Sequence, residues 1–122
     1  MVKVICDTNF IIHLANKRIR NLESIEIDIG PLIFLIPNVV EIELNRLKDI
    51  PTKKQEIEKT IDYIKKLSKL SINGTFADDE ILKYIKENRS FVGTMDKKLK
   101  QSIKQYGSSV ISFNNDYLVL ES

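Results

Sequence analysis

The chain has 122 residues, 43% of them hydrophobic and 30% charged, a balance that fits one globular domain and excludes a disordered chain. No apolar run approaches the roughly 20 residues a membrane-spanning helix needs, and the apolar start at residues 2–6 runs into Asp7 too soon for a secretory leader. The lone cysteine, Cys6, excludes a disulfide framework or a cysteine-built zinc site within one chain and points to a reducing cytoplasm, while a formal net charge of +2 neither demands nor forbids a nucleic-acid partner.

In chain order, residues 2–6 form a short apolar run of the kind found in a buried strand. Residues 9–17 follow with helical spacing, Phe10, Ile11 and Leu14 sharing one face. The pattern assigns no element to residues 18–29. Gly30-Pro31 punctuates the chain, and residues 32–36 read as a second strand. Pro37-Asn38 opens a helix to about residue 48, closed by Asp49-Ile50-Pro51, because proline disfavours helix in the residue before it. Thr52 and Gln55 have the spacing of a capping box. The helix they would open carries Ile57, Ile61, Ile64 and Leu67 on its apolar face, which gives a charged helical segment over residues 52–70.

Asn73-Gly74 is a turn, and a helix is expected over residues 78–88. Residues 91–94 read as a strand, 97–106 as a helix stopped by Gly107, 110–113 as a strand and 117–120 as a last edge strand. Strands alternating with helices imply an α/β class: a mostly parallel sheet with helices on both faces, here as a single domain over residues 1–122. There is no internal repeat, low-complexity tract or flexible linker.

Four acids stand where an apolar stripe should carry apolar residues. Asp7 precedes Phe10, Ile11 and Leu14 at i+3, i+4 and i+7, and Asp78 precedes Ile81, Leu82 and Ile85 at the same offsets. Asp96 precedes Leu99 and Ile103, and Glu43 lies within the arc of Val39, Val40, Leu44 and Leu47. Residues at these offsets share a helix face, so each acid points along a core-facing stripe, where an unpaired carboxylate is costly. The neighbouring acids differ. Asp79 shares its face with Lys83 and Lys86, and Glu41 stands three residues after Asn38, where a capping partner belongs. Taken singly, Asp7, Asp78 and Asp96 also read as helix N-caps; Glu43, inside its helix, does not. Taken together, acids following strands of a parallel sheet converge at its carboxyl edge, where ligands bind. Such acids repel one another unless cations neutralise them, and their hard oxygens suit Mg²⁺ or Mn²⁺.

These same stretches resemble the motifs of PIN-domain nucleases. Val4-Ile5-Cys6-Asp7-Thr8-Asn9 is similar to the opening motif, and residues 40–48, with Glu43 before a leucine, are similar to the second. Ala77-Asp78-Asp79-Glu80-Ile81-Leu82 resembles the third, and residues 92–100, with Asp96, the fourth. The resemblance runs from residue 2 to about 113. It implies a PIN-like three-layer α/β/α fold with about five strands. It also implies a Mg²⁺- or Mn²⁺-dependent endoribonuclease with Asp7, Glu43, Asp78 and Asp96 as catalytic residues, the metal held by Asp7, Asp78 and Asp96. Within the family the expected settings are RNA processing, on a pre-ribosomal particle, or a toxin of the VapC type paired with an antitoxin. Small members of the family often form homodimers.

Thr8, Asn9 and Thr94 stand beside the acids, where they could orient them or bind phosphate or metal-bound water; turn and cap chemistry explains them equally well. Lys97, Lys98 and Lys100 follow Asp96 and are expected to flank the acids and hold RNA phosphates, the alternative being a solvated helix face. His13 reads as a partly exposed helix residue and Cys6 as a small core residue. The aromatic residues are scattered and show no base-stacking platform. A phosphatase or receiver domain would need an Asp-x-Asp or an early adjacent acid pair, and Asp7-Thr8-Asn9 supplies neither. A non-catalytic RNA- or protein-binding module is the other class; keeping all four acids argues against it.

Overall fold

Successive residues of a strand face opposite sides of a sheet, so a strand buried at every position is covered on both. Val4, Ile5 and Cys6 meet that condition, all three being buried. They lie in β1 (Val2–Cys6), a central strand of the sheet. The computed structural model describes residues 1–121; the last residue of the expected 1–122 unit lies outside the described residues. After β1 come α1 (Thr8–Asn16), α2 (Leu22–Ile29), β2 (Leu32–Pro37), α3 (Asn38–Leu47), α4 (Lys54–Ile64) and β3 (Ser68–Leu70). Then follow α5 (Ala77–Glu87), β4 (Phe91–Gly93), α6 (Lys97–Gln105), β5 (Ser109–Asn114) and β6 (Tyr117–Glu121).

The six strands form one sheet in the order β3-β2-β1-β4-β5-β6. Pairing is parallel from β3 to β5, and β6 returns antiparallel on β5. The expected α/β architecture, a mostly parallel sheet flanked by helices, is therefore present, with six strands where the sequence shows five. The chain winds outward from β1 through β2 to β3, crosses back, and winds the other way through β4, β5 and β6. This reversal makes the gap between the carboxyl ends of β1 and β4 a switch point, the place where an open α/β sheet leaves a crevice. Gly93, at the end of β4, sits so close to α1 that a Cβ there would meet the Phe10 ring at 2.6 Å. Phe10 is fully buried, so the ring is held against the backbone and sets where α1 begins.

Three local readings differ from the structure. Helix α2 fills part of the stretch that carried no assignment; its Ile25 is buried, whereas Ile27 is 77% exposed. The segment read as helix over 52–70 ends at Ile64 and finishes as the edge strand β3, parallel to β2. Thr52 does not cap α4. Turns with hydrogen bonds from Ile50 N–H to Leu47 and from Lys53 N–H to Ile50 carry the chain one residue further, so Lys53 takes the N-cap position with no side-chain bond.

Candidate active site

Asp7 is the first residue beyond β1. Its N–H donates to the Gly93 carbonyl at 2.9 Å, which ties the ends of β1 and β4 together at the switch point. Its carboxylate does not cap α1, although the residue occupies the N-cap position. Instead Asp7 Oδ2 accepts the Thr94 hydroxyl at 3.1 Å, in a setting where Asp7 is only 8% exposed. Thr94 is fully buried, and its Oγ1 also accepts the Asp96 N–H at 3.2 Å. One hydroxyl thus links the acid after β1 to the acid opening α6. Burial, above all, raises the Asp7 carboxyl above its ordinary range. The Thr8 N–H and the Thr94 hydroxyl pull it back down, and the charges of Glu43 and Asp78 raise it further.

The other acids arrive from three helices. Asp96 is the N-cap of α6, and its Oδ1 accepts the Leu99 N–H at 3.0 Å, so its capping reading holds. Asp78 lies in the first turn of α5, where Phe76 takes the N-cap position; its Oδ1 accepts the Asp79 N–H at 3.0 Å. Glu43 sits in the second turn of α3, half-buried. Asp7, Glu43, Asp78 and Asp96 line one cleft of about 160 Å³, with Thr8, Asn9, Phe76 and Ala77 completing its wall. Asp78 and Asp96 each accept a helix N–H on Oδ1, and Asp7 accepts the Thr94 hydroxyl on Oδ2, which fixes the three groups. Among the described residues no three His, Cys, Asp or Glu side chains stand arranged so that they could hold a metal ion together. By donor chemistry the wall fits a hard dication: it offers four carboxylates and the Thr8 hydroxyl, which is buried with no hydrogen-bond partner.

The remaining residues divide clearly. Asn9 is exposed on the cleft wall, and Thr94 stands behind it, bonded to Asp7. Lys97 and Lys98 are exposed at the start of α6 and are not among the residues lining the cleft. Lys100 is directed elsewhere, to an ion pair of 2.9 Å with Glu121 on β6, because α6 packs beside β5 and the pairing of β6 on β5 brings Glu121 within its reach. Glu41 pairs with Lys69 at 3.0 Å and caps nothing; Asn38 bonds Asn73 instead. Asp79 is exposed and does not line the cleft. His13 bonds the Asn115 carbonyl at 3.1 Å and packs 4.1 Å from the Phe113 ring, a structural post. Cys6 is buried, and burial first, then the Asp7 charge, pushes its thiol far up. One wall residue, Phe76, escaped the sequence reading. Its signal was an aromatic residue outside any apolar stripe, two positions before Asp78.

The chain matches the family model described as a PIN like domain over residues 4–115. Ribonuclease VapC4 of Methanocaldococcus jannaschii is 31% identical over 111 residues, a match covering 86% of this chain and 85% of that protein. The solved structure of the PIN domain endonuclease Utp24 superposes with a TM-score of 0.78 at 29% identity, covering 98% of this chain and 90% of that one. With its sheet order, its switch-point crevice and a match spanning nearly all of its length, the chain belongs to the PIN-like domain family.

Proposed function

We propose that this chain is a metal-dependent endoribonuclease that hydrolyses RNA phosphodiester bonds at the acidic cleft. The observation that carries the reading is the meeting of Asp7, Glu43, Asp78 and Asp96, from four separate elements, in one small cleft at the switch point. The names of the relatives, a ribonuclease and an endonuclease, support the same chemistry.

In this reading Asp7, Asp78 and Asp96 would hold one or two Mg²⁺ or Mn²⁺ ions, with Glu43 assisting. The chemistry supplied by such an ion, when bound, is a more acidic water and positive charge against the charge gathering on the phosphoryl oxygens. The chain's own groups do the positioning. Thr94 fixes Asp7 and the backbone of Asp96 through one hydroxyl. The helix N–H groups of Asp79 and Leu99 fix Asp78 and Asp96, so both carboxylates are positioned before substrate arrives. Asn9, exposed on the wall, offers an amide to phosphate oxygens, and the buried Thr8 hydroxyl stands behind the acids to orient them. Lys97 and Lys98 attract the RNA backbone to a site that would otherwise repel it. No general base with a near-neutral pKa is required, which fits a cleft whose walls hold no histidine.

The setting we propose is cytoplasmic, either in RNA processing on a pre-ribosomal particle or as the toxin of a toxin–antitoxin pair, with a homodimer joining two basic surfaces. No helix among the described residues is long and apolar enough to cross a membrane. Growth arrest on induced expression, relieved by a neighbouring small protein, selects the toxin setting; sedimentation across a concentration series tests the dimer. The activity itself is tested by incubating the protein with single-stranded and hairpin RNA in Mg²⁺ or Mn²⁺. Cleavage that a chelator abolishes is expected, and an inert protein would refute the reading.

A further inference from the structure

We propose that Phe76 is a base-stacking residue of this cleft, its ring receiving the nucleobase beside the phosphodiester that the carboxylates address; the proposal rests on the nuclease reading above. Phe76 is 62% exposed. Of the five phenylalanines it alone is exposed: Phe10 and Phe113 are buried, Phe34 and Phe91 half-buried. An exposed phenylalanine forgoes the burial that normally keeps this side chain in a protein core. The exposure does not come from a loose segment. Phe76 has extended backbone geometry at the N-cap of α5, and its carbonyl accepts the Glu80 N–H at 3.1 Å. Ala77 beside it is buried, and so is Ile72, whose carbonyl accepts the Val39 N–H at 3.0 Å and fastens the loop to α3. The ring is held out on a fixed backbone.

Its location gives the ring a particular partner. The cleft wall consists of carboxylates, a hydroxyl and an amide, with Ala77 buried behind; Phe76 is its one exposed apolar surface. Carboxylates and their cations address a phosphate, whereas a nucleobase needs a flat apolar face. In a nucleic acid strand the two alternate, so a strand placing its phosphate among Asp7, Asp78 and Asp96 brings an adjacent base to the rim. Stacking on a phenyl ring requires an unpaired base and tolerates any of the four. The inference is a preference for single-stranded RNA with weak sequence selectivity, strongest for purines because their faces are larger.

The chain contains no tryptophan, so Phe76→Trp installs a single indole reporter at the rim. With the full chain and a short single-stranded RNA in Ca²⁺ buffer, its fluorescence is expected to be quenched on binding. In Mg²⁺ or Mn²⁺, Phe76→Ala should lose about 5- to 150-fold in kcat/KM, with Phe76→Trp near wild type. An RNA carrying one abasic residue beside the cleaved bond should be cut as poorly by wild type as intact RNA is by Phe76→Ala. The alanine variant should lose little further on the abasic RNA. Unchanged kinetics for a folded Phe76→Ala, beside an active wild type, would overturn the proposal and leave the nuclease reading intact, as would a variant that cleaves normally but no longer captures a protein partner. Quenching of the tryptophan variant by RNA with no cleavage by wild type would support stacking and remove the nuclease reading. Neither quenching nor cleavage would overturn both.

Discussion

Thr94→Val is the most informative single change at the site, because it removes one hydroxyl and little volume from a fully buried position. Two interactions disappear. The bond from Thr94 Oγ1 to Asp7 Oδ2, 3.1 Å, is made to a carboxylate and, with that acceptor charged, is worth about 1.5–3 kcal/mol. The Asp96 N–H loses its acceptor at 3.2 Å, but Asp96 is exposed and water can replace it, so this loss is about 0.5–1 kcal/mol. The expected destabilisation is about 2–4 kcal/mol, read by urea denaturation in metal-free buffer. In an Asp7→Asn background the first bond becomes neutral, and the same Thr94→Val change should cost about 1–1.5 kcal/mol less. The RNA-cleavage rate should fall mainly through kcat, since both linked carboxylates lose their aim. A cost below about 0.5 kcal/mol, or an equal cost in both backgrounds, would refute the claim that this hydroxyl organises the acids.

Other outcomes follow from the same geometry. Asp7 has a raised carboxyl pKa, so its ionisation costs stability as pH rises from its unfolded value through its folded one, and the full penalty applies above the latter. Asp7→Asn should therefore melt higher than wild type in chelator at about pH 7 and no differently at about pH 3, and equal melting at both would contradict the burial argument. Glu121 behaves oppositely: bonds from Ser112, Lys100 and Lys104 lower its carboxyl to about 2, so its contribution is present above the ordinary value of 4.5 and lost as pH falls toward about 2. Glu121→Gln should flatten that acid limb in a melting series against pH. Replacing Lys97 and Lys98 by alanine should lower the slope of log affinity against log salt for single-stranded RNA by about 0.7 for each phosphate no longer neutralised, whereas Lys100→Ala should leave it unchanged because Lys100 is paired with Glu121. Gly93→Ala should destabilise by about 1–3 kcal/mol in thermal melts, since its Cβ would press on the buried Phe10 ring.

Much of this organisation was legible because periodicity reports burial. The rule that an acid on an apolar stripe needs an explanation selected Asp7, Glu43, Asp78 and Asp96 and passed over Glu41 and Asp79, and the structure lines one cleft with the first four. Periodicity failed where two periods compete. In Ile25-Glu26-Ile27-Asp28-Ile29 the apolar residues alternate as in a strand, while Leu22, Ile25 and Ile29 fit a helix; the exposed Ile27 obscures the helical face of α2. Strand β3 was hidden because Leu67 continues the apolar stripe of Ile57, Ile61 and Ile64, and three residues at a sheet edge carry no pattern of their own. Lys100 looked like Lys97 and Lys98 because all three follow Asp96 closely and nothing local marks its partner; Glu121 is 21 residues away and recognisable only once β5 and β6 have paired. Phe76 carried no periodic signal because its place depends on a loop fastened at both ends.

Whether the four-acid cleft cleaves RNA with the help of a divalent cation can be read from a single experiment. One end-labelled single-stranded RNA is followed with wild type and Asp7→Asn side by side, each in Mn²⁺ and in chelator. Internal cleavage is expected only from wild type in Mn²⁺, with the Asp7→Asn protein folded and inactive. Cleavage by wild type in chelator, or by Asp7→Asn at a rate close to wild type, would contradict the metal-assisted reading of the cleft.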